Sequence, residues 1–313
     1  MGKDIYDKYP QARVFQNIAD EVFGTNLTGL RFKGPKDQLN LTENAQPIIY
    51  TDSFATMFLG RQNHLDPYAS SPKFIAGHSF GQLATITATG CLGNYLTDPE
   101  QVFRNGIQLV KARVEATKAA CLANPGGMMA IETHEKYILR LSPRGQRVSL
   151  DKILPAFGLS LSVVNSDEQV VVGGPDQSLS VFSELLHRQS NPPKTTRLRI
   201  EGAFHTPLMQ SASEEFAPTV RNLVIYPPEF PVMSNITAKP LTTTEQIQNE
   251  LIQGLTKTVR WKDTMSYLDS HGMNNSIEVG TNILSKFTPQ LGGEIVAVAA
   301  AGVAAYVVWR RRQ

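Results

Sequence analysis

Residues 77–81, which read Gly-His-Ser-Phe-Gly, are the feature that most constrains the fold of this chain. Residues 73–76 before them predict a short strand, and the pattern over 83–89 predicts a helix. A Gly-x-Ser-x-Gly motif between a strand and a helix indicates a nucleophile elbow, because its glycines permit a sharp turn that exposes the serine hydroxyl. We therefore predict an α/β fold with a large α/β-hydrolase-like domain, whose parallel sheet carries Ser79 on this elbow.

The sequence after Pro125 shows a different order of secondary structure. Signals for strand, helix, strand, strand, helix and strand follow one another at residues 128–132, from about His134, and at 159–164, 169–172, 178–188 and 196–200. The order βαββαβ is typical of a ferredoxin-like unit. We predict that residues 125–197 form this α+β subdomain, inserted into a large domain made of residues 1–124 and 198–290.

Residues 295–309 carry no charged side chain and are followed directly by Arg310, Arg311 and Arg312. A membrane-spanning helix needs about 20 apolar residues, so this run is short. Its end, a tryptophan followed by arginines, still resembles a membrane interface with a positive cytoplasmic flank. Two interpretations of the tail, residues 291–313, stay open: a membrane anchor, and a buried strand or helix that docks on the main domain.

The charge balance of the 313 residues is nearly even, with 30 basic and 28 acidic side chains and a net charge of +2. This balance indicates no nucleic-acid partner, although a local basic patch can still meet an acidic carrier protein. Cys91 and Cys121 are too few for a disulfide framework and lack metal-ligand spacing, so we expect no metal site. The first ten residues are polar where a signal peptide would be apolar, and we expect a cytoplasmic or organelle-matrix protein.

A serine needs a base to act as a nucleophile at neutral pH, and histidine suits that task. Of the six histidines, His78 is disfavoured because it and its neighbour Ser79 would project in different directions from a tight turn. The residues alone do not choose among the other five. His205 stands out because it follows a predicted strand and Gly202, precedes Pro207, and lies at the edge of the inserted unit.

Eight segments along the chain form an ordered set of short motifs: residues 1–6 (MGKDIY), 41–47 (LTENAQP), 77–82 (GHSFGQ), 109–113 (LVKAR), 165–174 (NSDEQVVVGG), 202–205 (GAFH), 259–261 (VRW) and 277–280 (IEVG). In the same order, they resemble the motifs of the malonyl-CoA:acyl carrier protein transacylases and of polyketide synthase acyltransferase domains. Each motif alone is weak, but together they are highly specific and span residues 1 to about 287. The chain is therefore similar to this family over most of its length.

The resemblance implies transfer of a malonyl group in fatty-acid or polyketide synthesis. Ser79 would attack the thioester of malonyl-CoA with His205 as general base, and coenzyme A would leave behind a malonyl-serine ester. The phosphopantetheine thiol of an acyl carrier protein would then take the malonyl group. No cofactor is implied, since malonyl-CoA is a substrate.

The resemblance also implies roles for four further residues. Arg113 would pair bidentately with the free malonyl carboxylate, which suits a planar guanidinium. Gln46 would help to line the acyl pocket. The main-chain N–H of Phe80 would stabilise the oxyanion. Phe204 resembles the residue that malonyl-selective members use to exclude an α-methyl branch.

The sequence departs from the family in the strand that normally carries the motif FPGQGSQ ahead of the Met-Gly segment. The glutamine of that motif supplies one oxyanion N–H in the family, and losing one such donor costs about 2.7–4 kcal/mol. A missing central strand also predicts unpaired backbone in the middle of the sheet. Three explanations are open: a start upstream of Met1, which we favour, a gap filled by the C-terminal segment or a partner, or a poor enzyme.

Two smaller departures concern the surroundings of the predicted site. Gln82 replaces the usual glutamate of the elbow, which we interpret as the loss of one charge near the entrance. Gly254 occupies the position of a family glutamine whose main-chain carbonyl orients the histidine, and glycine keeps that carbonyl.

Two other functions stay open from the sequence alone. An acyl hydrolase would use the same serine and histidine, and only Arg113 argues against it by favouring a carboxylated acyl chain. A scaffold that holds a carrier protein without turnover, at a membrane in one version, is suggested by the missing strand and by the tail.

Overall fold

The computed structural model describes residues 3–62, 72–132, 138–140, 147–189, 191–273, 275–279 and 304–309. Its α-helices are α1 (Lys3–Lys8), α2 (Pro10–Phe23), α3 (Leu27–Lys33), α4 (Lys36–Asn40), α5 (Thr42–Arg61), α6 (Gly81–Ala88), α7 (Pro99–Ala123), α8 (Leu150–Ile153), α9 (Asp176–His187), α10 (Gln210–Asn222), α11 (Thr244–Gln253) and α12 (Trp261–Ser270). Its strands are β1 (Phe74–His78), β2 (Gly127–Glu132), β3 (Ile138–Arg140), β4 (Arg147–Ser149), β5 (Ser160–Val164), β6 (Gln169–Gly174), β7 (Lys194–Arg197), β8 (Val232–Met233), β9 (Pro240–Leu241), β10 (Asn275–Val279) and β11 (Ala304–Trp309). The α/β class predicted from the sequence is confirmed.

The larger sheet belongs to the domain that carries the elbow and has the strand order β10-β11-β1-β8-β9. Strands β1 and β8 run parallel, with Ile75 opposite Val232. Strand β11 runs antiparallel to both of its neighbours, and β9 is a short antiparallel edge strand. The sheet is therefore mixed, with a parallel pair at the strand that leads into Ser79.

Strand β11 lies inside the larger sheet, between β1 and β10. Ala304 is opposite His78 on one side, and Trp309 is opposite Asn275 on the other. The expectation of unpaired backbone beside β1 is therefore wrong, because β11 pairs with β1 along its whole length. For residues 304–309 the structure agrees with the docked-strand interpretation of the tail, and the rest of 291–313 lies outside the described residues.

Removal of β11 is expected to unfold the larger domain. A chain that ends at Val303 leaves β1 and β10 without their shared partner, and each buried backbone group without a hydrogen bond costs about 1–3 kcal/mol. Several such groups together exceed the roughly 5–15 kcal/mol that stabilises a typical domain. We expect circular dichroism to show no cooperative thermal transition, whereas a chain that ends at Trp309 keeps the full-length Tm. An unchanged Tm after truncation at Val303 would contradict this position of β11.

The smaller sheet has the order β5-β6-β2-β7 and is antiparallel throughout. Successive residues of a strand face opposite sides. Val170 and Val172 of β6 accordingly join α8 and α9 in a small core, while Val171 packs into the larger core. This ferredoxin-like unit therefore has a core of its own and shares its other face with the larger domain.

The first connection of the smaller sheet differs from the helix predicted from about His134. His134 itself lies outside the described residues, but β3 and β4 form an antiparallel pair, and α8 begins only at Leu150. Pro143 and Gly145 stand between these two strands in the sequence, and such residues favour a turn over a helix. The described residues between β2 and α8 therefore include a pair of strands where a helix was predicted.

The sequence predicts a helical segment that Pro47 opens and that runs to Leu59, but helix α5 begins earlier. It starts at Thr42 and contains Pro47, although a proline was expected to open the helix. Proline removes one backbone donor, which leaves one carbonyl of the preceding turn without its helical partner. The additional turn matters for the site, because it places Gln46 on the buried side of the helix. Within the ranges given above, no helix combines the length and the apolar character needed to cross a membrane.

Candidate active site

The nucleophile elbow connects β1 to α6 through Ser79 and Phe80. Ser79 has a φ of 55°, and this left-handed conformation costs a residue other than glycine of order 1–3 kcal/mol. Gly77 has no room for a side chain, since a Cβ there would overlap the backbone of Gly81 and Gln82. The close approach of the strand end to the helix start therefore requires glycine, and the turn projects the Ser79 hydroxyl from the sheet.

Ser79 and His205 form the central pair of the site. The Ser79 Oγ lies 2.7 Å from Nε2 of His205. The Nδ1 atom of the same ring lies 2.7 Å from the carbonyl oxygen of Gly254 and 3.2 Å from that of Lys257. Carbonyl oxygens only accept hydrogen bonds, so Nδ1 carries the ring proton and Nε2 is free to accept the serine proton. The pair has the geometry of a nucleophile and its general base.

The position of His205 is fixed by its backbone as well as by its ring. Its φ is 62°, and its main-chain N–H donates to the carbonyl of Leu255 at 2.8 Å. Burial of the side chain, followed by the positive charge of Arg113, lowers the pKa of His205 to about 3. The imidazole is therefore neutral across about pH 5–8, and the neutral form is the one that acts as a base.

The main-chain N–H of Phe80 is the oxyanion donor that the elbow offers. It donates to no other group in the described part of the chain, and helix α6 begins at the next residue. The positive end of the helix macrodipole therefore lies behind this donor. A negative charge that develops on an oxygen beside Ser79 would be stabilised from this side.

Arg113 of α7 is buried against two aromatic rings. Its guanidinium carbon lies 5.2 Å from the ring centre of Phe80 and 5.7 Å from that of Phe204. These phenylalanines are the chain neighbours of the nucleophile and of the base. The Nη1 atom of Arg113 donates to Oε1 of Gln46 at 2.6 Å. The four residues predicted to bind the substrate therefore meet beside the serine–histidine pair.

The charge of Arg113 has no carboxylate partner among the described residues. Its side chain is buried, and burial lowers its pKa to about 10, so the group is still charged at neutral pH. By contrast, Arg31, which is also buried, pairs with Asp52. Burying an ion without a counterion costs several kcal/mol. The buried guanidinium of Arg113 can therefore take the anionic group of a bound molecule as its partner.

Two residues that the sequence analysis did not single out, Asn235 and Glu250, support the elbow. The Asn235 side chain bonds both Gly77 and Ser79, and Glu250 accepts from the Asn235 N–H at 2.6 Å. Asn235 follows β8, the parallel neighbour of β1, and the carboxyl ends of such strands share one edge. The place of Asn235 directly after a strand that neighbours β1 could therefore have marked it as a candidate site residue. The sequence marks Glu250 less clearly, as an acidic residue directly before the buried Leu251.

Gln82 lies in the interior and not near the entrance. The interpretation that its replacement of glutamate removes a charge near the entrance was therefore wrong. The side chain is buried, and its Nε2 donates to the carbonyl oxygen of Met233 at 2.8 Å and to Oε1 of Glu250 at 3.5 Å. Burial raises the pKa of Glu250 to about 6. An amide at position 82 therefore avoids placing a second carboxyl group against Glu250 in the interior.

His78 connects the elbow to the smaller sheet through a side-chain hydrogen bond. Its Nε2 lies 2.9 Å from Oδ1 of Asn165, whose Nδ2 donates to Gln169 at 2.8 Å. The other histidines are exposed, as His187 and His271 are, or lie outside the described residues, as His64 and His134 do. Over the stretches of chain that the structure describes, no three His, Cys, Asp or Glu side chains are grouped so that they could hold a metal ion.

Comparison with known families identifies the family of this chain. The family described as the acyl transferase domain matches residues 1–282. The chain belongs to this family. The malonyl CoA-acyl carrier protein transacylase of Bacillus subtilis (strain 168) is 28% identical to this acyl transferase over 301 residues, which cover 96% of the chain and 88% of the relative.

Solved structures show that the acyl transferase shares its fold with malonyl transacylases. The malonyl CoA-acyl carrier protein transacylase from Coxiella burnetii has a TM-score of 0.79 at 22% identity, over 95% of this chain and 88% of that one. A type II polyketide synthase acyl-carrier protein in complex with its malonyl-transacylase gives a TM-score of 0.79 at 22% identity, over 95% and 91% of the two chains.

Proposed function

We propose that this acyl transferase moves a malonyl group from malonyl-CoA to the phosphopantetheine thiol of an acyl carrier protein, in fatty-acid or polyketide synthesis. The observation that carries the proposal is the buried charge of Arg113 beside the Ser79–His205 pair. A malonyl thioester offers a carbonyl carbon to the serine and a free carboxylate to the guanidinium. The similarity to the malonyl CoA-acyl carrier protein transacylase of Bacillus subtilis supports this assignment.

The first half-reaction acylates the enzyme. The Ser79 Oγ attacks the thioester carbonyl carbon while Nε2 of His205 takes the hydroxyl proton. The Phe80 N–H and the positive end of α6 stabilise the oxyanion that forms. The carbon–sulfur bond then breaks, and His205 passes the proton to the sulfur of coenzyme A. The products are a malonyl ester of Ser79 and free coenzyme A.

The second half-reaction transfers the malonyl group to the carrier protein. The phosphopantetheine thiol gives its proton to His205 and attacks the ester carbonyl carbon. The bond to the Ser79 Oγ breaks, and this oxygen recovers the proton from His205. In the proposed cycle one imidazole moves every proton, so no cofactor takes part and malonyl-CoA serves as a substrate.

The proposed selectivity for malonyl groups comes from two directions. Arg113 favours a carboxylate on the acyl chain, because an anion there gains a desolvated cation as its partner. Phe204 directly precedes the base in the sequence, and its ring centre lies 5.7 Å from the guanidinium carbon of Arg113. We propose that its ring fills the volume next to the malonyl Cα, so that an α-methyl branch would overlap it.

The acyl carrier protein is the partner that this function requires, and a transacylase of the same fold has been solved with its carrier protein. We propose a cytoplasmic or organelle-matrix location, where malonyl-CoA and carrier proteins are in solution. Membrane contact through the tail stays a prediction. Residues 304–309 would have to leave the sheet to take part in it, because their backbone is paired on both sides.

The proposed function is tested by supplying malonyl-CoA or acetyl-CoA with holo carrier protein, with apo carrier protein that lacks the phosphopantetheine thiol, or with no carrier. We expect fast transfer only with malonyl-CoA and holo carrier, slower transfer from acetyl-CoA to holo carrier, and slow hydrolysis when the carrier thiol is absent. Comparable hydrolysis of both thioesters without any effect of the carrier would identify an acyl hydrolase. Binding of the carrier without consumption of either thioester would identify a scaffold.

A further inference from the structure

Asn235 lies between three segments of the chain and uses every polar group that it has. Its side-chain Oδ1 accepts from the Ser79 N–H at 2.8 Å, and its Nδ2 donates to the Gly77 carbonyl oxygen at 2.7 Å. Its own N–H donates to Oε1 of Glu250 at 2.6 Å, and its carbonyl accepts from the Arg260 N–H at 2.8 Å. A carboxamide offers a donor and an acceptor side by side, so one side chain holds both sides of the elbow.

The elbow needs such support because its conformation is strained. Ser79 has a positive φ, and a strained backbone persists only where the surrounding structure determines it. The Ser79 N–H and the Gly77 carbonyl flank the turn where the strand pairing of β1 ends. Without Asn235 these two groups would lose the partners they have here, and unpaired buried backbone groups are rare in folded proteins.

Glu250 extends this support to the histidine. Its Oε1 accepts from the Asn235 N–H and its Oε2 from the Ser234 hydroxyl, each at 2.6 Å, and the carboxyl group is buried. Its main-chain carbonyl accepts from the Gly254 N–H at 2.9 Å. The Gly254 carbonyl in turn accepts from Nδ1 of His205. The C-terminal end of α11 is therefore connected by hydrogen bonds to the nucleophile through Asn235 and to the base through Gly254.

We propose that Asn235 is a positioning residue that holds the elbow in its reactive conformation, aligned by Glu250 from the helix end that presents the Gly254 carbonyl to His205. The inference rests on the proposed function only in that Ser79 is the nucleophile, and it does not depend on the acyl group. A misplacement of about 1 Å costs about 10²-fold in rate. Loss of the two side-chain bonds therefore slows attack by Ser79 without weakening the binding of coenzyme A.

The test compares Asn235→Ala and Asn235→Asp with the control Ser234→Ala. The control removes a neighbouring bond to the same carboxylate but no bond to the elbow. We measure kcat and KM for malonyl transfer, the rate at which a small organophosphonate modifies Ser79, and Tm. Asn235→Ala is expected to lower kcat and the organophosphonate rate about 10²-fold with KM unchanged. Ser234→Ala leaves the Glu250–Asn235 bond and both elbow bonds in place, so it is expected to lower Tm and to slow both rates far less than Asn235→Ala does.

The isosteric Asn235→Asp keeps the acceptor for the Ser79 N–H but turns an oxygen toward the Gly77 carbonyl. It is expected to lower both rates about tenfold, because neither oxygen of the carboxylate can donate. If Asn235→Ala does not fold, Asn235→Asp is compared with Ser234→Ala in its place. Equal rate losses in the Asn235 variants and in Ser234→Ala at similar Tm would overturn the proposal, as would a wild-type organophosphonate rate in both Asn235 variants.

The organophosphonate separates this inference from the proposed function. If the wild-type chain reacts with it but does not accept malonyl groups, the proposed function fails while the comparison at Asn235 still decides the positioning role. If the Ser79 of the wild-type chain reacts with neither reagent, both proposals are overturned.

Discussion

Replacing Arg113 with alanine is expected to lower kcat/KM for malonyl-CoA by roughly 10²–10⁴-fold and to leave the slower reaction of acetyl-CoA nearly unchanged. The malonyl carboxylate would enter a buried site without its cation, and breaking such a pair costs about 3–5 kcal/mol. Each 1.36 kcal/mol corresponds to about tenfold in rate. An acetyl group has no carboxylate to lose a partner. The measurement is steady-state transfer to holo carrier protein with each thioester.

Two further variants serve as comparisons for Arg113→Ala. One keeps the charge at position 113, and the other removes a different arginine of α7. Arg113→Lys keeps a positive charge without the planar fork, so it should retain part of the activity and of the preference for malonyl. Arg104→Ala removes a partly exposed arginine of the same helix that pairs with Glu21 on the surface, and such pairs contribute little. Arg104→Ala should therefore be as active as the wild type. An Arg113→Ala enzyme that prefers malonyl-CoA by the wild-type factor would contradict the assignment.

Replacing His205 with alanine is expected to slow acylation of Ser79 by about 10²–10⁴-fold, the usual contribution of a positioned general base. The Ser79 hydroxyl would lose the acceptor that now lies 2.7 Å away. The measurement is the rate of coenzyme A release in a single turnover with malonyl-CoA. The matched control is His187→Ala, which removes an exposed histidine of the smaller domain and should leave this rate unchanged. Acylation by His205→Ala at the wild-type rate would rule out His205 as the base.

The elbow was predictable from the residues alone because its determinants are local. A strand, two glycines and a helix stand next to one another in the sequence, and the structure connects β1 to α6 through Ser79 in this way. The partner of the serine was not predictable on the same grounds. The Ser79–His205 contact joins residues 126 positions apart, so only the resemblance to a family could choose His205 among the five candidates.

The features that the sequence did not predict depend on contacts between distant segments. The position of β11 follows from strand pairing across more than 200 residues, and periodicity alone does not distinguish a buried strand from a buried helix in an apolar run. The sequence around Asn235 does not distinguish it from other loop residues, because its role depends on the pairing of β8 with β1. Pro47 was given too much weight as a helix start, because one missing donor does not prevent a packed helix from extending one turn further.

The central claim is that Ser79 carries the malonyl group as a covalent ester, and mass spectrometry tests it most directly. The wild-type chain is incubated with malonyl-CoA alone, quenched in acid and digested. The peptide that contains residues 77–81 should gain about 86 Da, as expected for a malonyl group on an acyl-serine intermediate. Addition of holo carrier protein before the quench should remove this gain, and Ser79→Ala should never show it. An unmodified Ser79 peptide, or an adduct of the same mass that persists in Ser79→Ala, would contradict the account.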